Sequence, residues 1–324
     1  MELPQVFLRY RQEIDSELKA SLPQNHLPLY RMLRYHLGWE DEAGNPRAGG
    51  EGKRLRPTLC LLACEGVGGN PQHALPAAAA IELVHNFSLV HDDIQDGDTQ
   101  RHGRPTVWAL WGQGQALIAG STMRLMADTT LHRLRERGFP ASTILEASHL
   151  LEEGCLEMIA GQYLDISYEG QLDISLEAYL EMISYKTAAL IATSFRLGAL
   201  LGTADRQAID AWGRCGQRMG LAFQIKDDIL GIWGDENETG KASANDIRRR
   251  KKSLPIVFAL NQKNAESSQE LKRLYRQPTL TEEEVSWIFQ LLGRMGARDF
   301  AQGLVADYCD QARAELSHLH LPEI

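Results

Sequence analysis

AAAAIELVHNFSLVHDDIQDGD, residues 77–98, runs an apolar helical pattern straight into a cluster of aspartates. Asp92 and Asp96 are four residues apart, so on a helix they project from one face. The same stripe extends back through Ser88 to His85, while Ile81, Val84, Val90 and Ile94 face elsewhere. A helix ending this way sets its carboxylates against its own negative pole and against one another. A divalent cation is the economical compensation.

FQIKDDILG at 223–231 repeats the arrangement. Asp227 and Asp228 follow an apolar helical run, and Gln224 lies on their side of the helix, three and four residues earlier. Several helices' worth of chain separates the two clusters, enough to bring them face to face. Either cluster alone also reads as a solvated, polar helix end. Two Asp-Asp pairs, each followed by basic residues, point to a site instead. Hard oxygen ligands favour Mg²⁺ over zinc, and Mg²⁺ typically bridges a few carboxylates to substrate phosphates. A diphosphate suits that arrangement.

The rest of the pattern is helical too. Ala77–Asp96, Leu150–Ile166, Ser175–Gly202 and Gln207–Ile232 carry apolar residues at three- and four-residue spacing. No alternating β-branched runs occur, so the reading admits no sheet. Breaks fall at Ala43–Gly52, Gly66–Pro76, Gly97–Pro105, Gly138–Pro140, Gly234–Ala244 and Gln277–Pro278. None resembles an interdomain linker, and there is no repeat or low-complexity tract. The expectation is an all-α fold, with residues 1–324 forming a single large helical bundle around a central cavity.

The 324 residues are 44% hydrophobic and 24% charged, as in an ordinary globular chain. A net charge of -9 argues against a nucleic-acid partner, because such binders rely on a basic surface. The five cysteines form no CxxC pair and read as buried free thiols in a reducing compartment. The N-terminus has no apolar signal core. Thr187–Leu201, interrupted by Arg196, is too short to span a bilayer, so a cytoplasmic location is expected.

Basic residues accompany both clusters. Lys53, Arg54 and Arg56 precede the first, and Arg101, His102 and Arg104 follow it. Lys186 and Thr187 sit in an otherwise apolar helix; Lys241 and the run Arg248–Lys252 follow the second cluster. Arg grips diphosphate oxygens bidentately and Lys acts as a point charge. The run 248–252 also reads as a solvated face, and Lys186 as a side chain snorkelling from the core edge.

These motifs resemble those of the trans-polyprenyl diphosphate synthases. GEGKRLRP, HNFSLVHDDIQDGDTQRHGRPT, GQYLDI, YKTA, FQIKDDILGIWGDENETGK and DIRRRKKSLP appear in the family's order. The resemblance implies short- or medium-chain synthesis, three Mg²⁺ ions per active site and a homodimer. By position, Asp92, Asp96 and Asp227 would be metal ligands, with Asp93 and Asp228 supporting or additional ones. Arg101, Lys186, Gln224 and Lys241 would hold an allylic diphosphate, with Lys251 closing over it. Lys53, Arg56 and His85 would hold isopentenyl diphosphate, while Thr187 and Gln162 would support the carbocation region. Phe87, with small Ser88 beside it, would floor the growing chain and suit geranylgeranyl first and farnesyl second; Phe87 also reads as simple core packing.

Three positions depart from the family pattern: His102 replaces a second arginine, Gly231 a third aspartate, and Gly120-Ser121 a Gly-Asp. His102 would then stand in as an isopentenyl diphosphate anchor that titrates near neutrality. Two rival functions share much of this pattern. A class I terpene cyclase would not need Lys53, Arg56 and His85 for a second diphosphate. A catalytically silent subunit of a heteromeric synthase would be expected to lose the aspartates retained here.

Overall fold

The computed structural model describes residues 5–23, 25, 27–47, 52–234, 244–262 and 266–319. In chain order the α-helices are α1 (Arg11–Ser21), α2 (Pro28–His36), α3 (Leu55–Gly66), α4 (Pro71–Gln95), α5 (Val107–Trp111), α6 (Gln113–Leu131), α7 (Ala141–Tyr168) and α8 (Leu176–Ile183). They continue as α9 (Ala189–Gly202), α10 (Arg206–Trp233), α11 (Asn245–Arg248), α12 (Leu254–Leu260), α13 (Glu266–Tyr275), α14 (Glu282–Arg294) and α15 (Ala297–Leu316). The fold is all-α, and the described residues group into two compact units.

The first unit comprises the chain up to Cys155 together with Thr193–Gly213. Its axis is α4, which α1, α3 and α6 pack against. Ala77–Ala80, Ile81, Leu83 and Val84 are all 0% exposed, so this stretch is enclosed on every side and not on one stripe. Four consecutive alanines let neighbouring helices approach closely at low side-chain entropy cost. The helix starts earlier than the Gly66–Pro76 break suggests. Asn70 caps it by accepting from the Gln72 N–H at 3.0 Å, and Pro71 occupies a first-turn position where no donor is missed. Pro76 is then simply carried inside the helix.

Close approach recurs between α9 and α3. A Cβ on Gly198 would lie 2.0 Å from the Cys60 carbonyl oxygen, a backbone atom that cannot step aside.

The expectation of no sheet needs one correction. Among the described residues a single two-residue pairing joins β1 (Gln100–Arg101) to β2 (Arg104–Pro105). His102 and Gly103 turn the chain with φ of 53° and 74°, the two left-handed residues of a type I′ hairpin. Two residues per strand are too few to show alternation.

The second unit comprises Leu156–Ala192 and Arg214–His318. Ile232, Ile247, Ile256, Leu271, Ile288 and Leu292 form one part of its core. Tyr179, Ile183, Leu221, Ile225, Ile229 and Val257 form another. The run Ser175–Gly202, read as one helix, is divided between α8 and α9 by a π-turn over Ser184–Ala188. Such wide turns are uncommon and often accompany functional side chains.

Gly198→Ala should lower stability by about 1–3 kcal/mol through overpacking against α3. Denaturant midpoints will read this, and an unchanged midpoint would contradict the close approach.

Candidate active site

The first aspartate cluster forms where α4 unwinds. The Asp96 N–H donates to the Asp92 carbonyl at 2.8 Å, and the Asp98 N–H to the Asp93 carbonyl at 2.9 Å. Asp92 is half-buried and Asp96 exposed, whereas Asp93 is 2% exposed. The buried member carries a partner: Arg101 Nε and Nη2 each lie 2.8 Å from Asp93 Oδ1. Burial raises the Asp93 pKa, and Arg101 opposes that rise. Asp93 Oδ2 remains buried with no hydrogen-bond partner. The hairpin presenting Arg101 is held from both sides. Thr106 Oγ1 and Trp108 Nε1 donate to the Asp98 carbonyl, and Tyr35 Oη donates to that of Pro105.

Beside this end stands a group of cations and imidazoles. Arg56 Nη1 lies 3.1 Å from His85 Nε2, and because guanidinium only donates, His85 accepts through a neutral ring. Burial and then Arg56, Arg101, His36 and Arg54 hold the His85 pKa well below its ordinary value. Burial, followed by Arg101, Arg104 and His102, pushes His36 down to about 3. Burial lowers even Arg56 to about 10. Burial first and the neighbouring cations second keep both imidazoles neutral, and the guanidinium groups gathered here have the charge to meet an anion. Lys53 is exposed, and His102 is exposed on the hairpin turn.

Phe87, 8% exposed, meets His91 edge-on with ring centroids 5.0 Å apart. His91 in turn fills the space beside Gly120, where a Cβ would sit 2.5 Å from its ring. Ser121, next in sequence, is exposed.

The second cluster, in the other unit, follows the same division. Asp227 is exposed and Asp228 is 0% exposed. Asp228 Oδ2 accepts from Tyr179 Oη and from the Leu254 N–H at 2.9 Å, and Oδ1 accepts from Gln224 Nε2 at 3.1 Å. Lys251 Nζ stands 3.6 Å from Asp228 and 3.8 Å from Asp246. Burial raises the Asp228 pKa against the pull of Lys251. Loss of water works against the Lys251 charge, but Asp228, Asp246, Asp227 and Asp165 outweigh it and raise its pKa. Gln224 is further oriented by Thr187, whose Oγ1 donates to Gln224 Oε1 at 2.7 Å.

The π-turn presents Lys186 and Thr187. It can do so because Gly161 on α7 has no side chain: a Cβ there would lie 2.1 Å from the Lys186 nitrogen. Lys186 pairs with Asp165, one turn beyond Gly161 on α7. Gln162 is half-buried on the same stretch. Lys241 lies outside the described residues.

Both ends offer carboxylate oxygens. Among the described residues no three His, Cys, Asp or Glu side chains gather as a metal site by themselves. Mg²⁺ takes one or two carboxylates and completes its shell with phosphate oxygens and water. Asp92 and Asp96 on one helix face, and Asp227 in the second unit, have carboxylates open enough to serve as donors of that kind.

Residues 41–292 match the family model described as polyprenyl synthetase. The chain belongs to that family. It is 39% identical over 316 residues to the geranylgeranyl diphosphate synthase of Mycobacterium tuberculosis, covering 97% of this chain and 87% of that one. It is 37% identical over 295 residues to the (2E,6E)-farnesyl diphosphate synthase of Mycobacterium bovis, covering 90% and 81%. The crystal structure of polyprenyl synthetase from Streptomyces coelicolor A3(2) superposes with a TM-score of 0.91 at 37% identity, covering 99% of this chain and 95% of that one. The chain is therefore a prenyltransferase. No described helix is long and apolar enough to cross a membrane.

The sequence reading missed several residues of this polyprenyl synthetase's site. Asp165 lies within the quoted GQYLDI, yet its pairing with Lys186 depends on the π-turn and carries no spacing signal. Tyr179, which holds Asp228, comes from an element with no motif of its own, and Asp246, beside Lys251, heads the quoted DIRRRKKSLP without a role assigned to it. Arg54 stood in the quoted basic segment without a role.

Asp228→Ala should cost on the order of 2–5 kcal/mol, since it strands Tyr179, the Leu254 N–H and Gln224 in a buried setting. Asp227→Ala should leave the urea midpoint unchanged. Equal midpoint shifts in the two variants would refute the division of labour within the pair.

Proposed function

We propose that this chain is a Mg²⁺-dependent trans-polyprenyl diphosphate synthase. It condenses isopentenyl diphosphate head-to-tail with an allylic diphosphate, with geranylgeranyl diphosphate as main product and farnesyl diphosphate second. The observation that carries the reading is the split in both Asp-Asp pairs. One member is buried and bound by protein donors, and the other is left outward beside cations able to hold a diphosphate.

Three Mg²⁺ ions bound at Asp92, Asp96 and Asp227 would neutralise the charge that builds on the departing diphosphate. Arg101, Lys186, Lys241 and Gln224 orient that group, and Asp93 fixes the Arg101 fork toward it. Asp228 and Asp246 keep Lys251 protonated, so Lys251 contributes full charge over the allylic end. Lys53, Arg56, His85 and His102 grip the second diphosphate, with His85 acting as a neutral hydrogen-bonding partner. Thr187 and Gln162 border the carbocation, from which water must be excluded. The condensation ends with a proton passing to the released diphosphate, which needs no side-chain base.

A homodimer in the cytoplasm completes the reading. Leu117, Ile118 and Leu125 on α6 are 47%, 55% and 67% exposed along one face, an apolar stripe suited to a second copy.

Purified protein given Mg²⁺, isopentenyl diphosphate and each allylic diphosphate in turn should yield geranylgeraniol after dephosphorylation, by chromatography. Chelation should abolish turnover, and Asp92→Ala or Asp227→Ala should each slow it by roughly a hundredfold or more. A cyclic hydrocarbon would assign a terpene cyclase, and no turnover by pure protein would assign a silent subunit.

Phe87→Ala should shift the main product to a longer chain. An unchanged chromatogram would leave Phe87 as core packing alone.

A further inference from the structure

The segment from Lys53 to Arg56 carries one more cation than a diphosphate grip employs. Arg54 is 3% exposed and turned away from solvent. Its Nε donates to Asp15 Oδ1 at 2.9 Å, and its Nη1 donates to Glu82 Oε1 at 2.8 Å. Asn86 Nδ2 donates to the same Glu82 oxygen at 3.2 Å. The Arg54 backbone is left-handed, with φ of 48°, at the first turn of α3. Its carbonyl accepts from both the N–H and the Oγ1 of Thr58, at 3.1 and 2.8 Å.

Two features of this arrangement work against stability. A non-glycine residue in the left-handed region costs roughly 1–2 kcal/mol. A buried ion triad gains little over apolar packing of the same shape, because desolvation offsets its attraction. What the triad supplies is geometry. Glu82 and His85 are three residues apart on α4, and they receive alternate residues of the incoming chain. Arg54 bonds to Glu82, and Arg56 reaches His85 at 3.1 Å. Arg54 itself is the left-handed residue that caps α3, so it sets the direction from which Lys53 approaches the helix and the first turn that carries Arg56. Asp15, from α1, holds the Nε of the guanidinium, and Nη2 is buried with no hydrogen-bond partner; Asp15 lies before residue 41, where the family match begins.

We propose that Arg54 is a positioning residue for isopentenyl diphosphate. Clamped between Asp15 and Glu82, it locks the turn that aims Lys53 and Arg56 at the diphosphate without touching it. This rests on the reading of function given above. Arg101 and Lys186, which serve the allylic diphosphate, have no part in the triad, so the two substrates should respond differently.

Arg54→Lys keeps the charge but cannot make both forked bonds from one nitrogen. Steady-state kinetics should show the KM for isopentenyl diphosphate rising about ten- to a hundredfold, as misplacement of a gripping group does. The KM for the allylic diphosphate and kcat at saturation should stay within about twofold, well inside that range. Asp15→Asn, which leaves the Glu82 pair in place, should move the same KM by less. In Arg54→Ala, a low concentration of guanidinium should bring it back down. Parallel loss for both substrates, or no change in a folded variant, would overturn the assignment. If Arg54→Lys does not fold, Asp15→Asn decides: a selective rise supports the role and an unaltered KM removes it. A wild-type chain that condenses nothing would sink the functional reading and this assignment together. A working wild-type with unaltered variants would sink the assignment alone.

Discussion

Two carboxylates side by side at the C-terminal end of a helix repel each other and oppose the helix dipole, and much of this molecule resolves that conflict. In both places the resolution is the same. The second aspartate turns inward and receives fixed donors, while the first keeps more of its surface open: Asp92 is half-buried and Asp227 exposed. Asp93 takes the Arg101 fork, and Asp228 takes a tyrosine hydroxyl, a backbone N–H and a glutamine amide. The hairpin after α4, the start of α12 and the position of Tyr179 on α8 all serve that inward half. An outward carboxylate on so constrained a base has little freedom to reorganise when a cation and a phosphate arrive.

The helical architecture was legible because its cause is local. Apolar spacing gave α10 to within a residue at each end and the C-terminal ends of α4 and α7. It placed the starts of those two helices at Ala77 and Leu150, where the structure has Pro71 and Ala141. Four-residue spacing put Asp92 and Asp96 on one face. The failures share a different cause. Pro76 looked like a break because its context, the Asn70 cap with Pro71 behind it, outweighs one missing donor. The π-turn at Ser184–Ala188 leaves no trace in periodicity over so few residues, and it governs where Lys186 and Thr187 point. The partners of the charged residues were the least legible. Asp165 for Lys186, and Asp15 and Glu82 for Arg54, each depend on which elements become neighbours, which spacing within one element does not report.

The relatives make the same separation between what a fold specifies and what a few side chains specify. A geranylgeranyl and a farnesyl diphosphate synthase match this chain at 39% and 37% identity, nearly the same value. Family membership therefore speaks to the chemistry shared by both and does not choose between their product lengths. One departure from the family pattern fits its surroundings: the Asp246 carboxylate lies 2.1 Å from where a Cβ on Gly231 would stand.

The alanine-rich, fully enclosed length of α4 has a dynamic consequence. Regions exchange their amide hydrogens by local opening only where few apolar contacts must be given up. Along residues 77–84 almost every side chain is sealed from water, so loosening this rod amounts to unfolding the unit around it. Its amides belong to the slowest-exchanging class in the chain. The carboxylates at its tip are thus carried on the stretch that is most costly to open.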